Sequence, residues 1–209
     1  MPASEDFASD APKLAPGSEP LSVLNGWYEE AVRRGDPTPD AMTLATASAD
    51  GRPSARIVLY KGLQRGAVLF VTNYESRKAR ELAENPRAAL VMHFALMERQ
   101  VRVEGRVEKA SAAESEAYFR SRPRGSQLGA WASPQSRPIT SRAELDVLTQ
   151  GVEQRFAGQD VGRPDFWGGY LVFPETVELW LGRKDRLHDR FLYTRKSDTD
   201  GWTITRLAP

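Results

Sequence analysis

The stretch Ala41-Met42-Thr43-Leu44-Ala45-Thr46-Ala47, followed by Ala49-Asp50-Gly51 and then Ser54-Ala55-Arg56-Ile57-Val58-Leu59-Tyr60, reads as two strands around a tight turn. An Asp-Gly pair accepts the positive backbone angles that such turns require. Ala67 to Thr72 follows Gly66 as a third strand, so the chain opens its sheet as an antiparallel meander. Further strands are expected at Ala88 to Phe94, Arg99 to Val107, Tyr170 to Phe173, Val177 to Leu181, Leu187 to Thr194 and Trp202 to Arg206.

Four helices flank this sheet. Leu21, Leu24, Trp27 or Tyr28, and Ala31 recur three or four apart, with Pro20 in the first turn and Gly35 as the stop. Ser76 opens a helix to about Glu84, before Pro86. Ser111 with Glu114, and Ser141 with Glu144, form two capping boxes; the first helix ends before Pro123. The second carries Leu145, Leu148, Val152 and Phe156 as a stripe expected in the core. Gly129 to Pro138 reads as a Pro-rich loop holding Trp131, Gln135 and Ser136. The fold class is therefore mainly β with flanking helices, α+β. Residues 1–18 read as a flexible tail that is neither a secretory signal nor a transit peptide, and 19–209 as one domain.

Composition narrows the function. Lys plus Arg number 29 against 28 Asp plus Glu, so no global field draws nucleic acid or an anionic membrane. With no cysteine, disulfides, thiolate metal sites and Cys nucleophiles are excluded, in keeping with a reducing compartment. His93 and His188 are the only imidazoles, so no metal site is expected. The most apolar run, Ala88 to Met97, falls short of the ~18 residues a membrane helix needs.

Anion binding must then come from local clusters. If Leu187 opens a strand, Arg186, His188 and Arg190 share one face, where three potential cations repel unless a ligand sits between them; the alternative is a solvated strand face. Arg77 and Lys78 fall in the first turn of a helix, where a bound anion would offset their conflict with the helix dipole. Tyr118, Arg122 and Ser126 could hold a phosphate between them, although Tyr118 in the core and Arg122 as a helix-end cation would also account for them. Arg56 and Lys61 point to opposite faces of a regular strand, so both reach one pocket only if the strand bulges or ends near Tyr60. Gln100 starts a half-buried strand.

Six motifs in order, among them Arg56-Ile57-Val58-Leu59-Tyr60-Lys61, Ser76-Arg77-Lys78-Ala79, Ser121-Arg122-Pro123-Arg124-Gly125-Ser126-Gln127 and Arg186-Leu187-His188-Asp189-Arg190, resemble the pyridoxamine 5'-phosphate oxidase family. The loop Trp131 to Ser136 and Phe166-Trp167-Gly168-Gly169 complete the six, the last of which runs on through the terminal Arg206-Leu207-Ala208-Pro209. It implies an antiparallel split β-barrel homodimer in the cytoplasm, with FMN across the subunit interface. The implied reaction is oxidation of pyridoxine or pyridoxamine 5'-phosphate by molecular oxygen. Implied FMN contacts are Arg56, Ile57, Val58, Leu59, Tyr60, Lys61, Val71, Thr72, Arg77, Lys78, Gln100, Gln135, Ser136, Trp180 and Arg190. Implied substrate contacts are Lys61, Tyr118, Arg122, Ser126, Arg186 and His188, the last two catalytic, with His188 a candidate proton acceptor. The chain departs from the family pattern in having no Arg or Tyr in residues 1–18, Val71 where Tyr is commoner, and Thr38 where an acidic residue often precedes the Pro. Other flavin or deazaflavin oxidoreductases on the same barrel, a phenazine-pathway oxidase among them, and a non-catalytic carrier of FMN or pyridoxal phosphate are the rival readings.

Overall fold

The structure is a computed structural model that describes residues 19–209; the tail expected over residues 1–18 lies outside the described residues. Helix α1 (Pro20–Arg33) starts on proline, whose missing N–H costs nothing in a first turn, and its chain reverses at Gly35, where φ is +74°. Its buried face of Leu21, Leu24, Trp27 and Ala31 packs on the sheet, each large apolar side chain contributing roughly 1.5–3 kcal/mol.

Strands β1 (Ala41–Ala47) and β2 (Pro53–Leu59) pair antiparallel around a turn in which Gly51 has φ +83°. A two-residue strand β3 (Leu63–Gln64), not read from the sequence, pairs with β4 (Ala67–Asn73). Helix α2 (Arg77–Glu84), β5 (Arg87–Phe94) and β6 (Arg99–Lys109) follow. Then come α3 (Ala112–Ser121), α4 (Arg124–Ala132), α5 (Arg142–Arg155), β7 (Trp167–Leu181), β8 (Asp189–Thr194) and β9 (Thr203–Leu207).

All strand pairs are antiparallel, in the order β2-β1-β5-β6-β7-β4-β3, with β8 between β7 and β9. Backbone bonds from Lys61 N–H to Leu69 O (2.9 Å) and from Leu69 N–H to Gly62 O (3.0 Å) tie the end of β2 to β4 and close the sheet on itself. The division comes from β7. Its first half pairs with β4 and its second half with β8, while β6 runs along its other edge throughout. The architecture is a split β-barrel with flanking helices.

Four expectations change. The strands expected at Tyr170 to Phe173 and Val177 to Leu181 are one, because a bulge at Glu175 carries the pairing past Pro174. The expected strand from Leu187 begins only at Asp189, after a turn in which Asp185 and Arg186 take φ of 56° and 63°. Arg186 and His188 therefore are not strand neighbours of Arg190. The loop expected at Gly129 to Pro138 is helical to Ala132, and Ser126 lies in the first turn of α4 rather than in a loop. The α5 stripe is not core: α5 has no buried residue, and only Val152, with Phe156 just beyond its end, packs on a small cluster around Trp167 and Phe119. No described helix is long and apolar enough to cross a membrane.

Candidate active site

A cavity of about 630 Å³ opens where the end of β2, strand β4 and the α3–α4 junction meet. Strand β2 stops at Leu59, and Lys61 turns into the cavity with its ammonium 3.1 Å from the Asp40 carboxylate. The strand ends before Tyr60, yet only Lys61 of the pair reaches the cavity. Arg56 instead points behind the cavity, toward Thr46 (2.6 Å) and the carbonyl of Leu44 (3.2 Å). Ile57 and Leu59 line the mouth and are 61% and 46% exposed.

The second wall is cationic. Lys78, only 8% exposed, donates to Thr72 Oγ1 (3.1 Å) and Gln135 Oε1 (3.3 Å), and all three side chains line the cavity with Val71. Burial, then the nearby Arg56 charge, lowers the Lys78 ammonium to about 8, with Glu81 opposing. Glu81 is on the buried face of α2 and gathers Ser54, Thr46, Arg56 and Arg77, the last at 2.8 Å. Its own burial favours the neutral acid, but these bonds and the Arg56 charge outweigh it and hold the carboxyl at about 2.

The third wall is the α3–α4 junction. Arg122 caps α3, and its guanidinium lies 4.5 Å from the Trp167 ring, which also stacks on Tyr118. Among the described residues, its buried Nη1 has no hydrogen-bond partner. Burial lowers the Arg122 pKa, against the influence of Tyr118. Ser126, Tyr118 and Lys61 line the same cavity. A buried donor left unmet costs about 1–3 kcal/mol, which an anion bound here would recover.

A second group lies outside this cavity. Gln100, Trp180 and Arg190 face one another across β6, β7 and β8. Arg190 is gripped by both oxygens of buried Glu178 (2.8 and 3.0 Å) and donates to the Ala208 carbonyl (3.0 Å). The His188 ring sits 4.5 Å from that of Trp180, and Arg186 is exposed on the preceding turn. Tyr60 is in the core, bonded to Asn25 (3.0 Å); Arg77 and Ser136 are exposed and do not line the cavity. Sequence reasoning did not single out Asp40, Glu81 or Glu178, the carboxylates that hold these cations. Only Glu81, four residues after Arg77 on one helix face, left a readable signal.

The barrel and its cavity define a class: split-barrel proteins with a cation-lined cavity. Residues 28–156 match the family model described as pyridoxamine 5'-phosphate oxidase, and residues 167–209 that of the pyridoxine 5'-phosphate oxidase C-terminal dimerisation region. A pyridoxine/pyridoxamine 5'-phosphate oxidase of Burkholderia multivorans is 53% identical over 208 residues, covering 99% of this chain and 94% of the relative. One from Rubrobacter xylanophilus is 54% identical over 191 residues, covering 91% and 87%. Among solved structures, PhzG of Burkholderia lata, in complex with tetrahydrophenazine-1-carboxylic acid, superposes with a TM-score of 0.86 at 28% identity, covering 100% of this chain and 99% of its own. A pyridoxamine 5'-phosphate oxidase-related, FMN-binding protein of Nostoc punctiforme shares the fold at a TM-score of 0.72 and 18% identity, covering 91% and 98%. The chain belongs to the pyridoxamine 5'-phosphate oxidase family of oxidoreductases.

Proposed function

We propose that this protein is an FMN-dependent oxidase that converts pyridoxine and pyridoxamine 5'-phosphates to pyridoxal 5'-phosphate in the cytoplasm. Molecular oxygen accepts the electrons and yields hydrogen peroxide; for the amine, water supplies the aldehyde oxygen and ammonia is released. The observation that carries the reading is the buried Nη1 of Arg122, which no described residue meets by a hydrogen bond, in a cavity that holds a separate cationic position at Lys78. Two anion positions suit a phosphorylated cofactor and a phosphorylated substrate. Relatives more than half identical to this chain that carry the name pyridoxine/pyridoxamine 5'-phosphate oxidase support the choice of substrate.

The donor set fits FMN. Lys78 and Thr72 beside the start of α2, with Arg77 held by Glu81, suit its phosphate, while Gln100, Trp180 and Arg190 suit its ring system. When bound, FMN supplies the two-electron redox chemistry. The chain's own residues bind and orient. Lys61, Tyr118, Arg122 and Ser126 hold the substrate phosphate, and the resulting loss of freedom brings the reacting carbon into position. Arg186 and His188 orient the pyridine ring and stabilise charge that develops there, and Arg190 places a cation beside the flavin. Because the cavity and the Gln100–Trp180–Arg190 row are separate in one chain, the complete site forms in a homodimer, where the row of a second copy meets the cavity.

The test is to record the visible spectrum of the purified protein and add pyridoxine 5'-phosphate without oxygen. Bleaching that reverses in air, with pyridoxal 5'-phosphate formed, is the expected result. A yellow protein that does not bleach removes the B6 reading. It would favour a second one, oxidation of a tricyclic acid such as the ligand of the Burkholderia lata protein, whose whole-chain match to this fold motivates it. A carboxylate would meet Arg122 as a phosphate does.

A further inference from the structure

Between β7 and β8 the chain makes a turn that its local sequence does not favour. Asp185 and Arg186 are both left-handed, with φ of 56° and 63°, and neither is glycine. Such residues cost of order 1–3 kcal/mol each and persist where the surroundings over-determine them. Here the surroundings converge on Asp189. One carboxylate oxygen accepts from Arg183 Nε at 2.6 Å, on the entry side of the turn, and the other from Arg206 on β9. The exit of the turn is thus tied both to its entry and to the neighbouring strand.

Within the clamped turn, the backbone N–H of Arg183 donates to His188 Nδ1 at 3.1 Å, while the ring rests on Trp180. A neutral imidazole carries a single N–H, so a ring whose Nδ1 accepts must bear its proton on Nε2. Neither nitrogen then remains open to take up a proton. The edge left for a ligand is a donor.

Resting on the oxidase reading above for what the ligand is, we propose that Asp189 is a positioning residue. Through Arg183 it fixes His188 as an Nε2–H hydrogen-bond donor to an electron-rich oxygen of the bound substrate, not as a proton acceptor. The assignment uses an acidic side chain that the proposed contacts leave without a role, and it departs from the role first expected of His188.

The experiment is nitrogen NMR on the holoprotein with labelled histidine. Two rings contribute, and His93→Gln separates them. At about pH 9, above the ordinary imidazole value of about 6.5, His188 is expected to carry its proton on Nε2. Asp189→Ala should turn that single form into a mixture and lower turnover by about tenfold or more with flavin content retained, and should lower the melting temperature because the clamp on the turn is lost. His188→Gln keeps an N–H near the Nε2 position and should retain more turnover than His188→Glu, which offers only an acceptor. A proton on Nδ1 in the unsubstituted protein, an unchanged ring form in Asp189→Ala, or greater turnover in His188→Glu than in His188→Gln would each overturn the proposal. If the oxidase reading itself fails, no variant turns over the B6 phosphates, yet the ring-nitrogen measurement still decides the role of Asp189.

Discussion

At the scale of single residues, several cations of the site are held by carboxylates, Lys61 by Asp40, Arg77 by Glu81 and Arg190 by Glu178, whereas Arg122 has a buried Nη1 that no described residue meets by a hydrogen bond. A hydrogen bond to a charged group contributes about 1.5–3 kcal/mol, so Arg122→Met should raise the KM for pyridoxine 5'-phosphate roughly 10- to 150-fold. Steady-state kinetics with pyridoxine, which lacks the phosphate, should show no comparable loss; equal losses would remove Arg122 from phosphate binding. Lys78 gives a pH dependence. Its ammonium titrates at about 8 in the fold against an ordinary value of 10.5, so between these values the unfolded chain holds the proton and the folded chain does not. Stability of the ligand-free protein should therefore rise as pH increases through that window. FMN affinity should move the other way, falling between about pH 7 and about pH 9.5 as the cation is lost, while riboflavin affinity stays level. Titration of both ligands by fluorescence at the two pH values checks this; parallel curves would show that Lys78 does not meet the phosphate.

Elements were legible to different degrees, for identifiable reasons. The capping box at Ser111 and Glu114 is local chemistry, and both of its reciprocal bonds are present, at 3.2 and 2.7 Å. The bulge in β7 is not local. It sits where Gly105 lies against the Phe173 carbonyl, 1.9 Å from where a Cβ would sit; Pro174 marks an irregularity within residues 170–181, but the approach itself comes from β6. Gly105→Ala should therefore force the β6–β7 backbones apart and cost at least the roughly 1–3 kcal/mol of ordinary overpacking. For a chain of this size, that lowers the melting temperature by roughly 2–12 °C, measurable by calorimetry. An unchanged melting temperature would mean that the bulge accommodates a methyl group. The turn before β8 also escaped a period-two reading, since its left-handed residues are held through Asp189 by Arg206, which lies outside the segment.

For the whole molecule, exposed Ile57 and Leu59 at the cavity mouth and the separate Gln100–Trp180–Arg190 row both fit the proposed dimer. Burying a carboxylate there would be costly, so Ile57→Asp is expected to dissociate the dimer and release flavin together. Sedimentation velocity with absorbance at the flavin band reads both effects, and a flavin-retaining monomer would place the whole site in one chain.

Fold class, family and the types of residue available for anion binding were all legible in the linear order of the chain. Strand and helix periods, caps and family motifs are recorded in consecutive residues. The tertiary structure alone decided which of those cations share a cavity, that Arg56 turns behind it while Lys61 enters, and which carboxylates hold each one. Those outcomes depend on where β2 ends, where β7 bulges and how the turn before β8 is clamped. Each depends on contacts between different elements of the fold, which the pattern within one element does not encode.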